Sequence, residues 1–385
     1  MSVTVPSGFL ANGVAAGIKG EGRLDLAIVI NDGPSRVSAA VYTSNRAKAN
    51  PILWSQAAMQ GGETTAVVLN SGGANCFTGE FGFDTSRLTA ELAAKSLDVP
   101  SAEIQVCSTG LIGEGDEAFR FAILDALPGA IETASPDKGN LAAEAIMTTD
   151  TQMKVAQYHG DGWSIGGMAK GAGMLAPGLA TMLVVLTTDV DIDQQVADHA
   201  LRTATSVSFD RLDSDGCMST NDQVTLMVSG ASEVTPDESQ FTAALTEVCI
   251  ELALKLLSDA EGASHDIAIN VSGAASLEDA LEVGRSVARN NLFKAAIFGN
   301  DPNWGRVLAA IGTTSAQFDP YQVDVSMNGV RVCHAGQPDK SREEVDLGAR
   351  DVLLDIDLQV GSARATIWTN DLTNDYVHEN SAYSS

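Results

Sequence analysis

Apolar residues in the first part of the chain gather in short, β-branched runs. LAIVI (26–30), SAAVYT (38–43), TTAVVLN (64–70) and EIQVCS (103–108) have the length and branching of strands. The same signature returns later in TMLVVLTTD (181–189), NDQVTLMVSG (221–230), HDIAINVSG (265–273), YQVDVSMNG (321–329), EVDLGARDVLLDIDLQVG (344–361) and SARATIWTND (362–371). Helical periodicity fills the intervals. RLTAELAAKSL (87–97) predicts a helix with Ser86 as its N-cap, and DEAFRFAILDAL (116–127) predicts another after a glycine-rich turn. FTAALTEVCIELALKLLSDAEG (241–262) is the longest helical candidate. LEDALEVGRSVARNNLFKAAI (277–297) begins as a helix after Ser276, and its end is expected to turn into strand. Strands followed by long helices predict an α/β or α+β protein with substantial sheet. No period of about 20 to 50 residues repeats, so a solenoid is not expected.

The middle of the chain departs from this pattern. GDGWSIGGMAKGAGMLAPG (160–178) is dense in glycine, which suits either a tightly folded loop or a linker. Trp163, Ile165, Met168, Met174 and Leu175 within it prefer burial and argue against a linker. With 385 residues, 44% of them hydrophobic, the chain can bury one large core or two ordinary ones. Its 50 acidic and 23 basic side chains leave a net charge of -27. That charge repels phosphate backbones and anionic lipid, so neither nucleic acid nor a membrane surface is an expected partner. A locally positive pocket can still hold an anionic substrate. Five scattered cysteines, Cys76, Cys107, Cys217, Cys249 and Cys333, form no CxxC and no disulfide framework, which fits a reducing cytoplasm. No signal peptide is expected from MSVTVPSGFLANG, and the apolar stretch 182–186 is too short to cross a bilayer.

The usual catalytic motifs are missing. RLDSDGCMSTND (211–222) mimics a calcium loop, but Arg211 and Asp222 occupy its first and twelfth positions and a strand follows. The five histidines match no zinc spacing, and no dinucleotide, P-loop or GxSxG signature occurs. Thr181 is the remaining place of chemical interest. It follows Gly178-Leu179-Ala180 at the end of the glycine-rich segment and opens an apolar strand. Such a threonine is either an ordinary strand residue or an internal nucleophile. In the second case its hydroxyl attacks the preceding carbonyl carbon and an N-to-O acyl shift gives an ester. Hydrolysis of that ester frees a new chain start, whose α-amine, with a reference pKa of about 7.7, can serve as local base for its own hydroxyl.

Seven ordered segments decide between these. NSGGANCFTG (70–79), CSTGLIGE (107–114), AIMTTDTQMK (145–154), GGMAKGAGMLAPGLATML (166–183), STNDQV (219–224), FGNDPNWGR (298–306) and DLTNDYVHENSAYSS (371–385) resemble the bifunctional ornithine acetyltransferase / N-acetylglutamate synthase family of arginine biosynthesis. The likeness runs from VPSGF near residue 5 to the last serine. It implies a DmpA/ornithine acetyltransferase-like fold. It implies a precursor that cleaves itself between Ala180 and Thr181 into an α chain (1–180) and a β chain (181–385), associated as an α2β2 assembly. Gly178-Leu179 replaces the more polar pair expected before the scissile bond, but the Ala-Thr pair is intact.

The resemblance also implies an activity and a site. Thr181 would take the acetyl group of N-acetylornithine as an ester and pass it to glutamate, a ping-pong reaction with no cofactor; acetyl-CoA is a possible second donor. Thr109 and Gly110 would form the oxyanion hole, although the residues alone read more readily as a strand-ending turn. Thr148, Lys170, Thr181, Glu261, Asn380 and Ser385 would bind substrate. Lys170 would pair with the substrate carboxylate and Glu261 with the charged end of ornithine. Thr149 stands beside Thr148 and leaves that assignment open by one residue. Lys154, Asp150 and Asn303 would support the site. The polar tail ENSAYSS would fold over the pocket instead of remaining loose. An amidase or aminopeptidase of the same nucleophile chemistry is the alternative, and it differs in letting water take the acyl group.

Overall fold

The computed structural model describes residues 2–20, 22–176 and 182–382. Thr181, Ala180 and Ser385 lie outside the described residues. Strands β1 (Phe9–Val14), β2 (Leu26–Asn31), β3 (Ser38–Tyr42), β4 (Ala66–Ser71), β5 (Ile104–Thr109), β6 (Lys154–His159) and β7 (Ser164–Lys170) precede position 181. Helices α1 (Asn50–Ala58), α2 (Gly79–Leu97), α3 (Glu117–Glu132) and α4 (Gly139–Ala145) alternate with them. Beyond it run β8 (Leu183–Thr188), β9 (Gln223–Val228), β10 (Asp266–Ala274), β11 (Asp324–Met327), β12 (Val330–His334), β13 (Gln337–Pro338), β14 (Asp351–Asp357) and β15 (Ala363–Asn370). Their helices are α5 (Gln194–Ser206), α6 (Glu238–Ser258), α7 (Leu277–Ala288), α8 (Asn291–Phe298), α9 (Trp304–Ile311) and α10 (Asn374–Ala382).

Three mixed sheets organise these elements, in the orders β1-β2-β4-β5, β3-β9-β8-β7-β6 and β13-β12-β11-β14-β10-β15. The first two pack face to face. Phe9, Ala27, Val29, Val67 and Leu69 of one meet Met168, Leu183, Val185 and Met227 of the other. The outer face of the first sheet, with Ile28, Val68 and Val106, lies under α2 and α3. The outer face of the second, with Val184, Leu186 and Leu226, lies under α5 and α6. The result is a four-layer helix–sheet–sheet–helix sandwich. Strands covered on both faces lose the polar alternation of a half-buried strand, which is why β4 and β8 read as continuous apolar runs and are buried throughout. The third sheet builds a separate core with α7, α8 and α9.

Three expectations are corrected. Helix α2 starts at Gly79, and Ser86 lies buried inside it, taking the amide of Asn75 at 3.1 Å. Glycine and phenylalanine in its first turns hid that start. Residues 291–298 continue as helix α8 and not as strand, with Asn290 capping the Phe293 N–H at 2.9 Å. The glycine-rich middle is in part strand β7, paired on both edges. Its glycines permit close approach. A Cβ on Gly166 would stand 2.2 Å from the Ser2 carbonyl oxygen.

Candidate active site

Strands β7 and β8 are antiparallel neighbours, with Lys170 opposite Leu183. Leu183 is two residues beyond Thr181 in the sequence, so the segment containing the Ala180–Thr181 bond joins the C-terminal end of β7 to the N-terminal end of β8. Strand β9 lies parallel to β8 and starts at the same level, with Gln223 opposite Leu183. The C-terminal end of β5, from the facing sheet, reaches the same edge. Asn221 ties the two sheets there, donating to the carbonyl oxygens of Ser108 at 2.8 Å and Ala74 at 2.7 Å.

Lys170 is the centre of this edge. Its side chain is 2% exposed, and its ammonium donates to the hydroxyls of Thr109 at 3.1 Å and Thr148 at 2.9 Å. Burial pushes its pKa down, while Asp150 opposes that shift and Lys154 adds to it. Asp150 accepts the Gly171 N–H at 2.7 Å and the Thr148 N–H at 2.9 Å, and it pairs with buried Lys154, which also holds Asp259. Burial alone would raise the Asp150 carboxyl, but the ammoniums of Lys170 and Lys154 outweigh it and hold it at about 2. Asp150 is therefore an ionised anchor that holds the Lys154 ammonium and the backbone at Thr148 and Gly171.

Thr109 ends β5, buried, and Gly110 follows at φ 133°. The loop is tight because the N–H groups of Gly72 and Gly73 both donate to the Thr109 carbonyl, at 2.9 and 3.1 Å. A Cβ on Gly110 would lie 2.5 Å from the Gly73 nitrogen, so only glycine fits.

A second chain of bonds extends outward. Thr149, not Thr148, donates to Glu261, at 2.8 Å. Asn380 donates to the other oxygen of Glu261 at 3.0 Å. The adjacent threonines thus serve different partners, Thr148 the lysine and Thr149 the glutamate. The last turns of α10 bring Asn380 back onto Glu261, as expected of the tail through residue 382. A cavity of about 450 Å³ opens here, lined by Thr149, Asp259, Glu261 and Asn380 among others. Thr109, Gly110, Thr148, Lys170, Glu261 and Asn380 are therefore brought to one region through Lys170 and the Thr148–Thr149 pair. Asn303 stands at the head of α9 in the third-sheet unit, with its amide on Asp301 at 2.9 Å.

One residue of the site was not singled out in the sequence. Asp222 is fully buried, and its Oδ1 accepts the N–H of Met182, the residue after Thr181, at 3.2 Å. Its Oδ2 has no hydrogen-bond partner among the described residues. Burial drives its pKa well up, against a weaker pull from Ser219, the Met182 N–H and Lys170. The only available signal was a carboxylate at the mouth of an apolar strand in STNDQV.

This arrangement holds a positive charge, hydroxyl donors and a close-approach glycine at one end of a strand pair, the equipment for acyl chemistry at a neighbouring hydroxyl. The family model of ArgJ matches residues 10–385, and the chain belongs to the ArgJ family of arginine biosynthesis, whose chemistry is acetyl transfer. Two proteins called arginine biosynthesis bifunctional protein ArgJ are similar over their whole length. That of Thermobifida fusca is 58% identical over 384 residues and that of Streptomyces avermitilis 57% over 388, each with 100% of both chains covered. Among solved structures, an ArgJ crystal structure from Bacillus halodurans aligns with TM-score 0.49 at 34% identity, over 51% of this chain and 97% of that one. Ornithine acetyltransferase from Mycobacterium tuberculosis, complexed with ornithine, aligns with TM-score 0.44 at 45% identity, over 47% and 96%. No described helix is long and apolar enough to cross a membrane.

Proposed function

We propose that the chain moves the acetyl group of N2-acetyl-L-ornithine to L-glutamate through an acetyl ester on Thr181, after cleaving itself at Ala180–Thr181. The observation that carries this reading is the Lys170 ammonium bonded to both Thr109 and Thr148, in register with the strand that begins just after Thr181. The Thr181 hydroxyl attacks the acetyl carbonyl, and its own α-amine takes the proton. Charge develops on the carbonyl oxygen, where the Thr109 hydroxyl and the Gly110 N–H serve as donors. Such a donor is worth about 3 kcal/mol in the transition state. Collapse breaks the carbon–nitrogen bond, and the proton passes to the departing ornithine amine. The α-amine of glutamate then attacks the ester and regenerates the threonine. One N-acetyl amino acid is exchanged for another, so the step is nearly thermoneutral and needs no nucleotide.

Lys170 and Thr148 hold the substrate α-carboxylate, and Glu261, steadied by Thr149 and Asn380, takes the side-chain ammonium of ornithine. Ser385 completes the pocket from the tail. Acetyl-CoA loads the same threonine in a second activity. The two chains, 1–180 and 181–385, stay together because β7 and β8 pair across the break, and they assemble as α2β2 in the cytoplasm.

Intact mass under denaturing conditions with N-terminal sequencing tests the core of this reading. From a 40.0 kDa chain, cleavage yields pieces of about 19 and about 21 kDa, the larger starting Thr-Met-Leu-Val. A single uncleaved chain in active protein refutes the mechanism. Release of free acetate in place of acetylated glutamate would favour an amidase.

A further inference from the structure

Glu261 lines two cavities. The first, already described, lies on the side of Thr149 and Asn380. The second, of about 420 Å³, lies on the side of Tyr376, between α8, the end of β15 and the Ser214–Gly216 loop. The two cavities differ in which cations keep unused hydrogen-bond donors among the described residues. In the first, Arg350 is spent: its Nε and Nη2 hold Asp266 at 2.9 and 3.1 Å, Nη2 also holds the Ser258 carbonyl at 2.6 Å, and Nη1 donates to the Ala263 carbonyl at 3.3 Å. What remains there is acidic. Burial, then neighbouring Glu261 and Asp375, push the Glu379 carboxyl up.

The carboxylates of the second cavity keep their charge but are held by the chain's own donors, Glu261 by Thr149 and Asn380. Asp215 takes the backbone N–H groups of Met174 at 2.7 Å and Cys217 at 3.1 Å. Asp371 takes the N–H groups of Ser264 and His265, each at 3.0 Å, and the His265 ring at 2.7 Å, with the Ser264 hydroxyl on the same oxygen as the ring. Two cations keep donors in hand. Lys294 is 6% exposed and gives one N–H to the Ser214 carbonyl, which leaves two unused among the described residues. Arg289 binds Asp213 through Nε at 2.8 Å, and its two terminal nitrogens carry no hydrogen bond among the described residues. Ala288 and Leu372 supply an apolar wall suited to a short methylene chain. A buried ammonium with unused donors, next to an arginine fork with unused donors, recognises a carboxylate.

We propose that this second cavity is the subsite for the side-chain carboxylate of the acetyl acceptor, with Lys294 and Arg289 as its ligands. Glu261 then divides two arms of one substrate cleft. An ammonium-tipped side chain turns toward the acidic cavity, and a carboxylate-tipped one turns toward Lys294. This resolves how one site accepts substrates of opposite side-chain charge in the two half-reactions. It rests on the functional reading above.

The test compares two acceptors in the mature enzyme. A labelled acetyl group is followed from N-acetylornithine to glutamate and, in the exchange reaction, to ornithine. In Lys294→Met the KM for glutamate rises by at least about tenfold, and the preference for glutamate over ornithine falls by a similar factor. Arg289→Gln, at the half-exposed rim, moves the same ratio less far. Lys294→Arg recovers most of the loss. Equal loss for both acceptors, or an unmoved ratio in both Lys294→Met and Arg289→Gln, overturns the assignment. If the unaltered enzyme acetylates neither acceptor, the functional reading fails first and the subsite falls with it.

Discussion

Replacing Gly110 by alanine isolates the contribution of the oxyanion loop. Two penalties can be worked out from the geometry. Gly110 sits at φ 133°, a region that L side chains occupy only at a cost of about 1–3 kcal/mol. The new methyl would also stand 2.5 Å from the Gly73 nitrogen and 2.7 Å from the Gly72 carbonyl carbon. Both neighbours are backbone and are themselves bonded to the Thr109 carbonyl, so no side chain can swing away to relieve the clash. The loop must open by about 1 Å to reach ordinary van der Waals separation, a displacement that by itself can lower a rate about 10²-fold. Loss of one donor to a developing oxyanion lowers kcat by about 10²–10³. Steady-state acetyl transfer from N-acetylornithine to glutamate should therefore show kcat down by at least about two orders of magnitude, with KM moved much less. Thermal unfolding run in parallel should show a lower Tm. A variant with lowered Tm but kcat within about threefold of the parent would refute the reasoning. Gly110 would then be a turn residue whose N–H faces no reacting atom.

Other outcomes follow from the same geometry. Thr148→Val removes a partner of Lys170 and Thr149→Val a partner of Glu261. Each should lose about tenfold in kcat/KM, the first for every substrate and the second chiefly for the ornithine-bearing one; equal profiles for both variants would show that the two threonines are not functionally separate. Asp150, held at about 2 against an ordinary 3.8, contributes about 2 kcal/mol of stability. Because its folded pKa is depressed, this contribution is complete above pH 4 and is lost as pH falls toward 2. Asp150→Asn should flatten the stability profile in that window, as read by urea unfolding at each pH. Asp222, whose carboxyl burial pushes well up, should tolerate Asp222→Asn within about threefold in transfer rate, because the amide oxygen still accepts the Met182 N–H; Asp222→Leu should lose at least about tenfold. A collapse of Asp222→Asn would mean that the carboxylate acts ionised.

Most strands of the sandwich were legible because the signal is local. Runs such as TTAVVLN and TMLVVLTTD are apolar without a break, and the middle position of both sheets explains that pattern. Ser276 and Asp116 cap α7 and α3 by contacts with residues three positions on, which a sequence displays directly. The start of α2 was hidden because its first turns hold glycine and phenylalanine, and packing against α3 overrides their poor helical propensity. Strand β7 was hidden because its glycines are explained only by the backbone that approaches them from the N-terminal segment.

The candidate site divides in the same way. Motif identity pointed to Thr109, Gly110, Thr148, Lys170, Glu261 and Asn380, since the residue types and their order along the chain suffice for that. Which partner each one holds depends on groups far apart in sequence. Lys170 meets Thr109 across 61 residues, and Thr149 meets Glu261 across 112. The charge state of Asp150 or Asp222 depends on how much water their surroundings exclude and which ammoniums lie near. By itself the sequence determined most of the strands, the helices α2, α3, α6 and α7, and the inventory of reactive groups. Only the tertiary structure decided which carboxylates are held by the chain's own donors, which are pushed up by burial and on which side of Glu261 cations keep unused donors, because hydrogen bonding and desolvation are properties of the packed neighbourhood.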